Sequence, residues 1–222
     1  MHDQTKPGDV VLREMNQIYT LEKEDIGNDA KLSRKGMTFE TESYRVEGFG
    51  HLCILRMNAM LGLMKMETAV LSCTEKDVPL LNLDWVKVPG KETQLIEYYD
   101  TQITPFPAEM LAEYQMIRDR DHDLTDYAAG EHWYDEILYP CSYQKTGKGV
   151  SGRFHAAVLS SLQVYLKHAA ELPACERASK EAKNRAFAQR LFSEGGPAVN
   201  QVKSLFGEET ARRLILNYMY GG

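Results

Sequence analysis

Residues 77–88 read Asp-Val-Pro-Leu-Leu-Asn-Leu-Asp-Trp-Val-Lys-Val, and the fold prediction starts from this stretch. A proline opens a strongly apolar, β-prone run that carries one carboxylate, Asp84, in its middle. A near-continuous apolar run of this length is typical of a strand covered on both faces. Asp84 is then at least partly buried, and a buried carboxylate must be paired, hydrogen-bonded or protonated. Two interpretations stay open at this point, a structural or edge-strand carboxylate and a functional acid.

The β pattern extends to both sides of this stretch, from residue 37 to about residue 102. The predicted strands are an alternating segment around Phe39–Glu47 and the runs 51–60, 64–73, 80–88 and 93–102. The connections between them are short and rich in glycine, charge or Pro-Gly. Because parallel neighbours need a crossover of about a dozen residues, these connections predict a five-stranded antiparallel meander.

Helical patterns flank the predicted sheet on both sides. Apolar residues recur at helical spacing, and the predicted helices are 9–24, 107–118, 151–170, 174–192, 198–206 and 208–219. Residues 27–36 are predicted to form a loop, and residues 119–148 an irregular segment of a length that is often functional.

This order of elements predicts an α+β fold, an α/β/α sandwich with a central antiparallel sheet flanked by helices. We expect a single domain over residues 1–222. It comprises an N-terminal helix and loop (1–36), the antiparallel sheet (37–102) and a mainly helical half (103–222).

The composition is that of an ordinary globular protein, with 222 residues, 43% hydrophobic residues and a formal net charge of −6. A negative total argues against a nucleic-acid surface, which needs a basic footprint. No run approaches the ~20 apolar residues of a membrane helix, and no signal peptide is visible. We therefore expect a cytoplasmic protein without membrane or nucleic-acid partners, in which Cys53, Cys73, Cys141 and Cys175 are reduced thiols.

The usual fingerprints of cofactor and hydrolase chemistry are absent from the sequence. It has no Gly-x-Gly-x-x-Gly after a strand, no P-loop, no Gly-x-Ser-x-Gly and no His-Glu-x-x-His. The cysteines are too far apart for a zinc clip, and the acidic residues 119–126 do not fit a calcium loop, so we predict no metal site. Five basic residues lie within the predicted helix 174–192: Arg177, Lys180, Lys183, Arg185 and Arg190. They form either the solvated face of that helix or a docking surface for an acidic partner.

Two motifs resemble those of the ferredoxin-dependent bilin reductase superfamily, which includes red chlorophyll catabolite reductase. The first is Asp77–Asp84, similar to the family's Asp, aliphatic, Pro, two apolar residues, Gly, any residue, Asp, with Asn82 in place of the glycine. The second is Phe206-Gly207-Glu208, which is similar to the opening of the family's closing helix. The resemblance covers about residues 35–220.

The resemblance implies a tetrapyrrole pocket between the sheet and the C-terminal helices. It also implies single electrons from reduced ferredoxin or flavodoxin, protons from pocket residues, and no bound organic or metal cofactor. The family's central proton donor falls on Asp84, and the position of a pocket histidine falls on Glu67. A carboxyl group desolvated under a large apolar ligand has a raised pKa and acts as a general acid near neutral pH. A second carboxylate on the same face would raise it further.

The resemblance also suggests how a bilin is held. Asn82 is assigned to substrate binding beside Asp84, and Lys148 and Arg153 are the expected clamps for the propionate groups of a tetrapyrrole. One departure concerns Gly196, where the family often has an aspartate or asparagine, so a second reduction that depends on that side chain is in doubt. Two alternatives remain: a tetrapyrrole carrier without catalysis on the same fold, and a protein-interaction domain in which Asp84 is structural.

Overall fold

A nine-stranded sheet runs through the computed structural model, which describes residues 6–128 and 130–221. Every pairing between named strands is antiparallel, in the order β1-β3-β4-β5-β6-β7-β9-β8, with β2 also paired to β3. The strands are β1 (Leu21–Lys23), β2 (Lys31–Arg34), β3 (Met37–Val46), β4 (Gly50–Ala59), β5 (Met64–Cys73), β6 (Leu80–Val88), β7 (Lys91–Tyr99), β8 (Thr125–Asp126) and β9 (Tyr143–Gly147).

Six α-helices accompany the sheet within the described residues. They are α1 (Pro7–Asn16), α2 (Ala108–Arg120), α3 (Ser151–Glu171), α4 (Arg177–Glu194), α5 (Pro197–Phe206) and α6 (Glu208–Arg212). Helix α6 continues as a π-helical segment, Arg213–Met219, and short 3₁₀ turns occur at Gly27–Ala30, Met60–Gly62 and Trp133–Ile137. No helix in the described part of the chain is long and apolar enough to cross a membrane.

The predicted antiparallel meander is confirmed as strands β3 to β7, and the α+β sandwich is confirmed as the fold class. The helices after residue 105 begin and end within about three residues of their predicted bounds. The tight Pro89-Gly90 connection also forms as predicted, with Gly90 at a φ of 79°, which glycine adopts without a side-chain clash. The single-domain assignment stays a prediction.

Three predicted segments differ from the structure. The helix predicted over 9–24 ends at Asn16, and residues 21–23 pair with β3 instead. The predicted loop 27–36 contains β2, and the predicted irregular segment 119–148 contains β8 and β9. These strands are 2–5 residues long. So short a strand forms through its pairing with a neighbour, and local periodicity does not show that pairing.

The two faces of the sheet carry separate cores because successive strand side chains point to opposite faces. On β6, Leu81 and Leu83 pack into the core formed with α1, α2 and α3. Leu80 faces the other way, into the core formed with α4, α5 and the π-helical segment. Asn82 and Asp84 share the face of Leu80, so they point toward the C-terminal helices.

The first half of the 77–84 motif anchors the start of β6. Asp77 accepts hydrogen bonds from the backbone N–H groups of Ile103 and Thr104, and its Oδ1 lies 3.7 Å from Lys180 Nζ. Lys180, at 0% exposure, donates to the carbonyls of Val78 at 2.7 Å and Thr101 at 2.9 Å. These bonds connect α4 to the residues just before β6 and just after β7, and they fix the position of β6 relative to α4.

Candidate functional site

Asp84 lies near the middle of the sheet, on the face that α4 and the C-terminal segment cover. Its neighbours across the strands are Thr68 on β5 and Leu95 on β7. The Thr68 hydroxyl donates to Asp84 Oδ1. The Asp84 residue as a whole is half-buried, and the sheet holds its carboxyl group through bonds to both oxygens.

A second carboxyl group, Glu97, lies beside Asp84 on the same face. Glu97 is on β7 directly opposite Asn82 and is 5% exposed. The side-chain amide of Asn82 donates to Asp84 Oδ2 at 2.7 Å and to Glu97 Oε2 at 3.0 Å. One amide therefore bridges the two carboxyl groups, at the position where the resembling family often has glycine.

Two further side chains donate hydrogen bonds to Glu97, one from its own strand and one from β9. The Tyr99 hydroxyl donates to Glu97 Oε2 at 2.8 Å, and the Gln144 amide on β9 donates to Oε1 at 2.8 Å. Reasoning from the sequence missed Glu97, although it has the same signal as Asp84: one acid inside a β-prone run, Leu95–Tyr99. Glu97 is distant from Asp84 along the chain, and only the register of β6 and β7 shows that the two side chains are close in space.

The electrostatics of this pair favour a bound proton. Burial raises the pKa of Asp84, opposed by the hydrogen bonds from Thr68 and Asn82. Burial also raises the pKa of Glu97, and the negative charge of Asp84 raises it further. Two carboxylates this close in a poorly solvated place titrate as a unit, and the first proton to leave makes the second harder to remove.

Aromatic side chains form a wall over the carboxyl pair. The ring of Tyr99 packs against Phe187 and Tyr134, with centroids 4.8 and 5.9 Å apart, and Phe187 packs against Tyr220 at 5.5 Å. Burial and the charges of Asp84 and Glu97 raise the pKa values of Tyr134 and Tyr220. The wall is suited to stacking against a flat, conjugated ligand.

The Asp84 face is closed at one end and more open at the other. Val70 and Leu80 are fully buried, at 0% and 1% exposure. Met66 and Val86, which lie toward the β6–β7 turn, are partly exposed. Leu95, directly across from Asp84, is also partly exposed. The face that carries Asp84 is therefore apolar around the acid and more exposed toward the end of the sheet that carries that turn.

The expectation that Glu67 shares this face is wrong. Glu67 pairs across the sheet with Trp85, so its side chain lies on the opposite face from Asp84. It is 2% exposed, accepts from Arg56 Nε at 2.9 Å, and accepts from the Gly8 N–H at the start of α1 at 3.0 Å. Glu67 holds α1 and β4 together, and Glu97 takes the place beside Asp84 that the sequence assigned to Glu67.

The two expected propionate clamps lie away from Asp84. Arg153, on α3, packs on the other side of the sheet, where its guanidinium contacts Asp121 at 2.5 Å and Asp123 at 2.5 Å. Its role as a clamp is corrected to that of an ion-pair partner for these two acids. Lys148 lies exposed in the turn between β9 and α3, and its role stays a prediction.

The basic run on α4 is not the continuous surface that its spacing suggested. Lys180 is buried, Arg177 pairs with Glu75 and Glu181, and Arg190 pairs with Glu194. Among residues 6–128 and 130–221, no three His, Cys, Asp or Glu side chains are grouped as ligands for a metal ion.

Comparisons with known proteins give a relationship in fold. The sequence matches no protein-family model and no curated protein. The structure is similar to the crystal structure of phytochromobilin synthase from tomato in complex with biliverdin. The TM-score is 0.74 at 13% sequence identity, over 95% of this chain and 80% of that chain. At 13% identity this likeness concerns the fold alone, and it agrees with the fold predicted from the sequence.

Proposed function

We propose that this protein reduces a bilin or a related linear tetrapyrrole, with electrons taken one at a time from reduced ferredoxin or flavodoxin. The observation that carries the proposal is the Asp84–Asn82–Glu97 cluster, which lies on the sheet face beside a group of packed aromatic rings. The cluster stands in a fold shared with a protein that has been crystallised with biliverdin. Asp84 is the principal acid because the residue is half-buried, whereas Glu97 is 5% exposed.

The reaction balances with two electrons and two protons for each double bond reduced. Each electron carrier is oxidised by one electron, and the pigment is reduced by one electron at each encounter. One proton leaves an Asp84 carboxyl oxygen as a new N–H, O–H or C–H bond forms on the pigment. Solvent then protonates the carboxyl pair again, and the pair transfers the second proton to the pigment. A further proton from solvent restores the pair.

The carboxyl pair suits this chemistry because it retains a proton above the usual pH range of a carboxylic acid. The hydrogen bonds from Thr68 and Asn82 fix both Asp84 oxygens, so the proton is presented in one orientation. The aromatic wall excludes water from the reduced pigment and provides surfaces for its conjugated rings.

The experiment is an anaerobic absorbance titration of the purified protein with biliverdin, followed by addition of reduced ferredoxin. We expect a saturable spectral shift and then loss of the biliverdin band under turnover. A Glu47→Gln variant, which changes an exposed glutamate in the β3–β4 turn, is the control and should behave as the wild-type protein. A shift without turnover would instead identify a pigment carrier, and no shift would remove the functional proposal.

A further inference from the structure

We propose that the open end of the sheet is the docking surface for an acidic, one-electron carrier protein. The surface consists of the cations in four turns, β2–β3, β4–β5, β6–β7 and β9–α3, together with the apolar tip of the β4–β5 turn. We call the cations the basic rim: Arg34, Lys35, Lys65, Lys87, Lys91 and Lys148. This proposal rests on the proposed function, because it names the surface through which the same site receives its electrons.

The antiparallel register brings the basic rim together from distant parts of the chain. Arg34 pairs with Met37 at the β2–β3 turn, Lys65 pairs with Lys87 across β5 and β6, and Lys91 follows the β6–β7 turn. At 4.8 Å per strand, the distance from β3 to β9 is about 24 Å, which is the breadth of a standard protein–protein contact.

The charge of this end is opposite to that of the whole molecule. Within the described residues 33–38, 57–66, 86–93 and 145–150, Glu92 is the only acid. Glu92 is 5% exposed and is bound to Lys87 at 3.0 Å and to the Ser151 hydroxyl at 2.6 Å. A positive patch on a chain with a net charge of −6 attracts and orients an acidic partner and repels copies of the chain elsewhere.

An apolar tip stands among these cations. Leu61 is fully exposed, and Met60 and Leu63 are more than half exposed. Met60 and Leu61 have φ values of 52° and 56°, a left-handed conformation that bulky side chains rarely adopt. Backbone strain that exposes apolar side chains is found where a segment serves binding. An apolar centre surrounded by a charged margin is the usual organisation of a transient protein interface.

The docking surface also lies close to the reacting groups. Asp84 and Val88 lie on the same strand, and the rise of about 3.3 Å per residue places them about 13 Å apart. The partly exposed Met66 and Val86 lie on the face between Asp84 and this end, and the partly exposed Leu95 lies directly across from Asp84. A carrier bound here is held against the more exposed end of the Asp84 face, where each docking delivers one electron to the pigment.

The test uses a Lys65→Glu/Lys91→Glu double variant and a matched Lys183→Glu/Arg185→Glu variant on α4. Both pairs are exposed, and both changes shift the net charge equally. The kcat/KM for reduced [2Fe–2S] ferredoxin is measured at low and high ionic strength, beside biliverdin affinity and the rate with reduced methyl viologen. We expect the Lys65/Lys91 variant to lose about ten-fold or more in kcat/KM at low ionic strength. Its biliverdin affinity and viologen-driven rate should match the wild type, and the α4 variant should change little.

A third variant tests the apolar tip without altering charge. Leu61→Asn keeps a residue that tolerates the left-handed conformation and removes the exposed apolar side chain. We expect a lower kcat/KM for ferredoxin with the same ionic-strength dependence as the wild type.

Three results would overturn the proposed surface while leaving the reductase function in place. The first is wild-type kinetics with ferredoxin in the Lys65/Lys91 variant, and the second is an equal loss in both double variants. The third is a loss of biliverdin affinity or of the viologen-driven rate, which would assign the basic rim to the pigment. No turnover of the wild-type protein with either reductant would instead remove the function itself, and this proposal with it.

Discussion

Asp84 and Glu97 illustrate how a single hydrogen-bond donor can organise two acids. Asn82 donates one amide proton to each carboxyl group, so it holds both acids in place, and the charge of Asp84 raises the pKa of Glu97. This coupling leads to two predictions at the scale of single residues.

The first prediction concerns the pH dependence of turnover. Activity requires a protonated acid, so it falls as pH rises through the raised pKa of the pair. Glu97→Gln removes the neighbouring negative charge, and the pKa of Asp84 then moves down toward its usual value. We expect the alkaline limb of the kcat profile to shift to lower pH. The profile should stay in place in Glu47→Gln, and an unmoved limb in Glu97→Gln would show that the two acids are not coupled.

The second prediction concerns Asn82. Asn82→Gly restores the glycine of the resembling family and removes the amide from both carboxyl groups. Because donors to the charged forms are lost, we expect both pKa values to rise and the alkaline limb to move to higher pH. The free energy of unfolding should also fall by about 1–3 kcal/mol in urea denaturation. Asn58→Gly, at an exposed position on β4, gives the cost of glycine in a strand alone, and equal losses in the two variants would refute the bridge.

At the scale of elements, Glu67 joins α1 to the sheet rather than acting on a ligand. Its carboxylate is bound by Arg56 and by the Gly8 N–H, on the face away from Asp84. Glu67→Gln should therefore lower the free energy of unfolding by about 3 kcal/mol, because it breaks a buried ion pair. The kcat for pigment reduction should remain that of the wild type. A large loss of kcat with unchanged stability would return Glu67 to the catalytic site.

Helix α4 is fixed to the β6–β7 hairpin by Lys180. Lys180→Met leaves the carbonyls of Val78 and Thr101 without this donor and Asp77 without its cation, so we expect a loss of about 3 kcal/mol or more. Burial lowers the pKa of Lys180 to about 8. The unfolded chain therefore binds this proton more tightly, and the wild-type protein should gain stability relative to the variant as pH rises from about 8 toward 10. A constant difference in urea denaturation across that range would contradict this account.

The elements also show what the sequence can and cannot reveal. Strands β3 to β7 follow from alternation and short turns, and the C-terminal helices follow from apolar spacing and the breaks at Pro173, Gly195–Pro197 and Gly207. Strands β1, β2, β8 and β9 are short edge or near-edge strands, and they form by pairing with neighbours distant in the chain. The position of Asp84 in a buried strand was predictable. Its partner Glu97 was not, because the register between β6 and β7 decides which side chains meet.

At the scale of the whole molecule, the sheet separates a structural half from a functional half. The face covered by α1, α2 and α3 holds an apolar core together with Glu67 and Arg153, whose charges are neutralised by neighbours. The opposite face holds the carboxyl pair and the aromatic wall, and it is more exposed toward the basic rim. The net charge of −6 does not show this division, because it sums over the whole chain and the cations of the basic rim collect at one end of the sheet. Under the proposed function, the pigment, the proton donors and the electron carrier meet at one end of a single sheet.

The most direct test of the central claim is the rate of biliverdin reduction by Asp84→Asn under reduced ferredoxin, with biliverdin affinity measured on the same sample. The amide retains the shape of Asp84 and cannot give the proton. The account predicts a biliverdin affinity close to that of the wild-type protein and a reduction rate lower by about 10²-fold or more. An Asp84→Asn protein that binds and reduces biliverdin at the wild-type rate would contradict it.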